Sequence, residues 1–450
     1  MISMKFKKSF LNVKCSKMKT KFKQTEIGKI PEDWNIKKIK DISKINELIV
    51  SKDYKFDEIE YIDISSVDNG RLLEVQKLKR EYAPSRAQRI VRNNDILIST
   101  VRPNLKHFTF IKKCNENTVA STGFAVISSK HIDPQYLYHY VTTNRYTNYL
   151  SAIADSHTST YPAINPDVIE ESYIPIPNIN EQRSIAKILS DLDSKIELNQ
   201  QINKILEEIG KAIFKHWFID FEFPNEGGKP YKSSGGDMVD SELRKIPKGW
   251  EIGRLGDFGN IQPGFAFKSQ DFIEDGYKII KIRNIQSPIV DVVNVDDYVN
   301  DEIFNNIDKK FYLESGDVLI AMTGAELGKV GIIPYFNGIM LLNQRVGKVV
   351  SNHKFLFYLY LIQNEVQSLM KGVSSTSSAQ GNISNTDIQK IKLVVPPKGL
   401  VNKFTAATEK IFTKMIKNWG ENNLLSQIRD SLLPKLMSGE IRVKNIAMRN

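Results

Sequence analysis

The sequence predicts an α/β (α+β) protein in which two globular domains stand in tandem, each followed by a long helix. The two helices are expected to pair as an antiparallel coiled-coil spacer in a pseudo-two-fold arrangement. Three observations carry this expectation. At 450 residues the chain is too long for one hydrophobic core. Motifs near its start return in the same order 216–222 residues later. Apolar residues at helical spacing follow each copy.

Residues 1–26 precede the first copy and read as a basic tail. Residues 1–23 hold eight lysines (Lys5, Lys7, Lys8, Lys14, Lys17, Lys19, Lys21 and Lys23) and no acid, supplying +8 of the formal net charge of +11. The tail reads as a disordered solvated arm, or as residues upstream of a start at Met18. A nonspecific phosphate-binding arm is the functional alternative. It lacks the continuous apolar stretch of a secretory signal. A pI of about 9.2 points to a polyanionic partner. With only +3 left outside the tail, however, any nucleic-acid surface there must be a local patch. Hydrophobic content of 41% with 26% charged residues is that of an ordinary soluble globular protein. Cys15 and Cys114, the only cysteines, provide neither a disulfide framework nor a thiolate zinc site, so a reducing cytoplasm is expected. The longest apolar run, Phe355 to Ile362, is far too short for a membrane helix, and no membrane partner is expected.

The repeat has three parts. Residues 27–42, IGKIPEDWNIKKIKDI, correspond to 243–258, LRKIPKGWEIGRLGDF, sharing Ile-Pro-x-x-Trp at Ile30, Pro31 and Trp34 and at Ile246, Pro247 and Trp250. NNDILIST (93–100) then matches SGDVLIAMT (315–323), each a turn signal, an Asp and a short buried strand. SHTSTYPAINPDVIEESYIPIP (156–177) matches TSSAQGNISNTDIQKIKLVVPP (376–397), each a Ser/Thr-rich loop, an Ile, an Asp and an apolar strand closed by prolines. The expected domains are therefore 27–177 and 243–397.

A helix is expected over 178–223, with Asn178 as its cap and Glu181 completing a capping box. Ile185, Ile188, Leu189, Leu192, Ile196, Ile202, Ile205, Ile209 and Ile213 recur near heptad spacing, and Pro224 ends the pattern. A helix of this length with a polar opposite face needs a partner. The partner expected is the stretch 401–437, within a C-terminal helix and tail over 398–450, with Gly420 and Pro434 weakening or bending it. The bland alternative is that each helix packs only on its own domain. Residues 224–242, containing PNEGGKPYKSSGG, read as a flexible linker between the copies.

These motifs resemble those of type I restriction–modification specificity subunits. The resemblance rests on Ile-Pro-x-x-Trp at the head of each copy and on ISTVRPNL (98–105). It rests also on NEQRSIAKILSDLDSKI (180–196) and IRDSLLPKLMSGEIRV (428–443), and covers 27–445. It implies two target-recognition domains, each reading one half of a split double-stranded DNA site, with the paired helices fixing the distance between halves. It also implies docking of two copies of a DNA adenine methyltransferase subunit, joined by a restriction (helicase–nuclease) subunit. Because the two domains differ in their middle portions, the site is expected to be asymmetric.

Candidate DNA contacts follow from residue chemistry. In the first domain, KLKREYAPSRAQRIVRNN concentrates Lys77, Lys79, Arg80, Arg86, Arg89 and Arg92 against a single acid, Glu81. Arg102, Asn104, Lys106 and His107 follow the buried strand. Arginine pairs bidentately with guanine, and Asn or Gln with adenine, in the major groove. Lysines and the Ser/Thr loops, including Ser159, Thr160, Ser374 and Ser375, would supply phosphate contacts. In the second domain the candidates are Gln262, Lys268, Lys281, Arg283, Asn284, Gln286, Thr323, Gln344 and Arg345. There Asp291, Asp296, Asp297, Asp301 and Glu302 form an acidic stretch expected to face away from DNA. For each residue the competing reading is an ordinary solvated side chain.

No catalytic site, metal or cofactor is expected. Pro396-Pro397 lacks the flanks of an adenine methyltransferase pocket, and GAELGKV (324–330) falls short of a P-loop. Pro166-Asp167 with Asp193-Ser194-Lys195 matches a nuclease layout in letters only, since Asp193 and Lys195 lie on different faces of one helix. The six histidines show no metal-ligand spacing. Trp217, Phe218, Phe221 and Phe223 read as core or interface. The alternative function is a stand-alone DNA-binding regulator or adaptor without enzyme partners.

Overall fold

The computed structural model describes residues 20–157, 162–377 and 381–443, and the lysine tail up to residue 19 lies outside them. The chain divides into two compact units, Met1–Ser194 with Ser426–Asn450, and Lys195–Leu425. Each unit thus contains part of both long helices.

The first unit is built on two four-stranded sheets. One runs in the order Phe108–Phe110, Ile96–Ser99, Phe124–Ser129, Ser43–Ile45, antiparallel throughout. The other runs Gln76–Lys79, Glu58–Ile62, Thr118–Ser121, Ala87–Ile90, with one parallel pairing between Glu58–Ile62 and Thr118–Ser121. The second unit repeats the order of these eight strands and adds two to its first sheet. Its first sheet contains Asn260–Pro263, Val346–Val350, Val318–Ala321 and Val330–Ile332, extended by Ile289–Val290 and Ile285–Gln286. Its second runs Tyr298–Val299, Tyr277–Ile280, Met340–Leu342, Tyr312–Leu313, again with one parallel pairing, between Tyr277–Ile280 and Met340–Leu342. The central strands Ile96–Ser99 and Val318–Ala321 are buried at every position, which is why they read as continuous apolar runs.

The Asp before each central strand is structural. Asp95 accepts the Arg92 N–H at 2.7 Å, and Asp317 accepts the Glu314 N–H at 2.8 Å, closing equivalent turns. Those turns place Asn94 at φ 69° and Gly316 at φ 87°. Ile-Pro-x-x-Trp is likewise a turn: the Trp34 N–H donates to the Pro31 carbonyl and the Trp250 N–H to the Pro247 carbonyl, both at 3.0 Å. Each indole is thereby tucked into its unit's core.

What covers each tryptophan comes from a distant part of the chain. In the first unit Leu436, Met437 and Val443 join the core around Trp34. In the second, Phe218, Phe221 and Phe223 surround Trp250, with Phe223 stacked on it at 5.2 Å. The end of each long helix and the residues just after it therefore seal the other copy's opening motif.

The helices are Ile179–Phe214 and Lys398–Met437. The first continues through a single π turn, Lys215–Ile219, and so stops before Pro224. Two expectations are corrected. The Asn178 side chain accepts the Glu181 N–H at 3.0 Å, but the Glu181 carboxylate does not complete the capping box; it is taken up by Trp34 and Arg442. The second helix runs unbroken through Gly420 and Pro434, the two positions expected to weaken or bend it. A side chain at Gly420 would collide with the Tyr335 backbone, so this glycine is a docking notch. Ile202, Ile205 and Ile209 do not form the seam between helices. Within the second unit that seam carries Asn199, Asn203, Leu206 and Ile213, while Ile205 is 55% exposed.

The expected linker is held by its own contacts. Asn225 Oδ1 accepts the N–H groups of Gly227 and Lys229, and Tyr231 stacks on Phe223 at 4.6 Å. Met238–Val239 then pairs with Ile246–Pro247. Among the described residues no helix is long and apolar enough to cross a membrane.

Candidate nucleic-acid interface

The structure brings together two of the repeated motifs that lie far apart in sequence. In the first unit the buried Ile96–Ser99 strand ends at Thr100, whose N–H donates to the Gly123 carbonyl at 2.9 Å. The Ile164 N–H donates back to the Thr100 carbonyl, and the Arg102 N–H donates to the Pro162 carbonyl at 2.8 Å. In the second unit the bonds recur at equivalent positions: Met322 N–H to Arg345 carbonyl, Ile383 N–H to Met322 carbonyl, and Gly324 N–H to Gly381 carbonyl. Each unit thus presents one platform made of the post-strand loop, the turn beside it and the end of the Ser/Thr-rich segment. The Ser/Thr segments begin inside helices, Asn144–His157 and Asn364–Ser377. Ser159 and Thr160 lie outside the described residues, and for Ser374 and Ser375 only the backbone, within the second of these helices, is described.

The two platforms exchange one residue type. Position 102 is an exposed arginine held at φ 47°, and its equivalent is Gly324 at φ 76°. Across the platform the equivalent of Gly123 is the exposed Arg345. Each unit therefore carries one arginine and one glycine at its two facing positions, in opposite order. Sequence reading selected Arg102 and Arg345 separately. The exchange shows only once strand register aligns Ser99 with Phe124 and Ala321 with Val346.

Around Arg102 the loop follows a defined set of turns. Pro103–Leu105 forms one 3-10 turn, and Lys106 is again left-handed at φ 56°. Asn104 is exposed. The Lys106 ammonium donates to Asn144 Oδ1 at 2.8 Å, and His107 Nδ1 lies 2.5 Å from the Val67 carbonyl, so His107 is tied to the fold. The Asn69 N–H donates to the Lys106 carbonyl, which places the Asn69-Gly70 hairpin and its neighbour Arg71 at the platform edge. Asn-Gly is a hairpin signal that sequence reading passed over.

The basic run separates into different roles. Lys77 and Lys79 point outward from the Gln76–Lys79 edge strand. Arg80 turns inward and donates to the Tyr54 and Lys52 carbonyls at 2.5 and 3.3 Å. Arg86 pairs with Asp63 at 2.9 Å, so Glu81 is not the only acid opposing the run. Arg89 has its Nε buried without a partner, and burial lowers its pKa.

In the second unit several candidates are committed to structure. Asn284 is buried, its Oδ1 accepting the Lys281 N–H at 2.9 Å. Thr323 is buried and bridges to Asn382. Gln262 donates to the Lys310 carbonyl. Lys281 and Arg283 both pair with Asp297, at 2.6 and 2.5 Å, so this part of the acidic stretch faces the candidate cations instead of avoiding them. Lys268, Gln286 and Gln344 are exposed. The nuclease-like letters have a structural explanation too: Asp193 is ion-paired with Arg429 at 2.9 Å.

Comparison with known proteins follows the same two-part division. A family model described as "Type I restriction modification DNA specificity domain" matches the chain twice, at 31–208 and 247–425. The Type I restriction enzyme MjaIX specificity subunit of Methanocaldococcus jannaschii is 29% identical over 441 residues, covering 95% of this chain and 98% of that protein. The HindI specificity subunit of Haemophilus influenzae is 26% identical, covering 91% and 100%. Among solved structures, the type I restriction–modification S subunit from M. genitalium has the same fold, with a TM-score of 0.56 at 18% identity, covering 93% and 99%.

Proposed function

The chain belongs to the type I restriction–modification DNA specificity family, and on that premise we propose that it reads a bipartite, asymmetric DNA site, one half per unit. It is a specificity subunit with two recognition domains and no catalytic role of its own. The observation that carries the proposal is the exchanged arginine: Arg102 and Arg345, both exposed, stand at opposite positions of platforms with matching backbone register. A guanidinium that forks onto guanine O6 and N7 from two different origins would meet different bases in the two half-sites. Asn104 and Gln344 beside these arginines suit adenine, while Lys77, Lys79, Lys106 and Lys268 suit phosphates.

Its partners in this reading are two copies of an adenine methyltransferase subunit and a motor–nuclease subunit. Leu198, Ile202, Ile205 and Ile209 recur at helical spacing on the outer face of the first long helix, and all but the half-buried Ile202 are exposed. An apolar stripe of this kind on a soluble helix is a protein-docking surface. Co-expression of the chain with candidate methyltransferase subunits, followed by sequencing of adenine methylation, tests the reading. Methylation at one split, asymmetric motif is the expected result. Absence of a split motif with every partner overturns it.

A further inference from the structure

The middle of the helix pair, wholly inside the second unit, is polar where a helix seam is ordinarily apolar. Asn199, Asn203, Asn418 and Asn422 are all buried there. Asn199 Nδ2 donates to Asn422 Oδ1 at 2.9 Å, and Asn418 Nδ2 donates to Asn203 Oδ1 at 2.8 Å. The remaining amides reach the opposite backbone: Asn203 Nδ2 to the Met415 carbonyl at 3.0 Å, and Asn422 Nδ2 to the Ile196 carbonyl at 3.2 Å.

These bonds are images of one another. Asn199 and Asn418, Asn203 and Asn422, and Ile196 and Met415 are each 219 residues apart, the offset that aligns the two helices. Applying that exchange to any one of the four bonds yields another of the four. The asparagines therefore flank a local two-fold axis of the pair. Only the rim departs from symmetry. Lys195 Nζ donates to Asn199 Oδ1 at 3.0 Å and Asn199 also donates to Glu421, whereas Asn418 Oδ1 is buried without a partner.

Apolar side chains tolerate sliding, because one methyl contact replaces another. Amides do not, because a shift strands buried donors and acceptors. Buried asparagines in helix pairs sacrifice stability for a defined register. We propose that this four-asparagine clasp locks the register of the long helices, and thereby the number of base pairs accepted between the two half-sites. The second clause rests on the proposed function. A residue rises about 1.5 Å along a helix and a base pair about 3.4 Å along DNA, so a slip of two or three residues corresponds to roughly one base pair.

The experiment uses the full chain with its methyltransferase partner and a library of split sites whose spacers differ by single base pairs. Wild type is compared with two quadruple variants, one replacing all four asparagines by leucine and one by alanine. Wild type is expected to direct methylation at one spacer length. Both variants should extend it to spacers one base pair longer or shorter, at a tenth or more of the parental level, and the leucine variant should melt higher. A single unchanged spacer length in both variants overturns the proposal.

If wild type methylates no split site, the functional reading has failed and register is read directly by cross-linking. With Cys15→Ser and Cys114→Ser as background, Lys195→Cys is combined with Glu421→Cys, at positions whose native side-chain tips meet at 3.4 Å, and the two thiols are joined by a bifunctional maleimide long enough to replace both side chains. With the clasp intact this pair should cross-link at one fast rate, and without it the rate should fall several-fold as the helices leave that register. An unchanged cross-linking rate in the clasp-less variants overturns the register lock.

Discussion

Arg102 holds a left-handed backbone conformation that Gly324, its equivalent, adopts without strain. For a residue with a Cβ this conformation costs about 1 kcal/mol, and such strain persists where a side chain has work to do. Arg102→Gly is therefore expected to leave thermal stability unchanged or raise it by about 1 kcal/mol, while relaxing base preference in one half-site only. Calorimetry together with methylation profiling checks both parts, and equal loss at all sequences would make Arg102 a phosphate contact. His139 provides a second residue-scale prediction. Burial pushes its pKa down to about 4, with the nearby Asp193 carboxylate opposing and Arg429 reinforcing that shift. In the unfolded chain the imidazole protonates near 6.5, so between these values the unfolded state binds more protons. The stabilisation is complete above about pH 6.5 and is lost as pH falls toward 4, amounting to about 3 kcal/mol. His139→Gln should flatten the pH dependence of the first unit's melting temperature over that window.

At the scale of elements, glycine in a helix interior ordinarily invites replacement by alanine, which favours the helix by about 1 kcal/mol. Gly420 should behave oppositely. Its Cα faces the Tyr335 backbone, and the Tyr335 N–H donates to the Ile416 carbonyl one turn earlier. A backbone cannot rotate away as a side chain can, so Gly420→Ala should destabilise the second unit by roughly 1–3 kcal/mol, as chemical denaturation would show. The same logic explains why the heptad reading of the first helix failed locally. Periodicity placed Ile202, Ile205 and Ile209 on an apolar face, but it could not distinguish a face that meets the other helix from one left open. The seam instead runs through Asn199 and Asn203, which hydropathy alone assigns to solvent.

Across the whole molecule, the first unit is completed by the chain's far end. Arg442 donates to both Glu181 oxygens, at 2.7 and 2.9 Å, and to both Asp33 oxygens, at 3.0 and 2.7 Å. Its guanidinium holds the Asp33 carboxyl below the usual range, and the Glu181 partnership raises its own pKa further. Glu181 is buried and also accepts the Trp34 indole N–H at 3.2 Å, so removing the arginine strands a buried carboxylate. Arg442→Ala should destabilise the first unit by about 3 kcal/mol and leave the second unit's transition in place. A single shared shift in both transitions would contradict this assignment.

The sequence by itself determined the duplication, the buried central strands after Asp95 and Asp317, the two long helices and the family. Each of these rests on local chemistry or on periodicity, which a linear string preserves. Tertiary structure decided which of the selected side chains remain available. Arg80, Asn284 and Thr323 have the right chemistry for DNA, yet backbone carbonyls, a turn N–H and burial claim them. It decided also that Arg102 and Arg345 occupy opposite positions of matching platforms, because that exchange depends on strand register between segments more than twenty residues apart. Hydrogen-bond partners at that distance are set by which strands meet, and no local pattern encodes that. The two helices were legible as lengths of apolar spacing; the four amides at the centre of their seam acquired meaning only when the fold set them face to face.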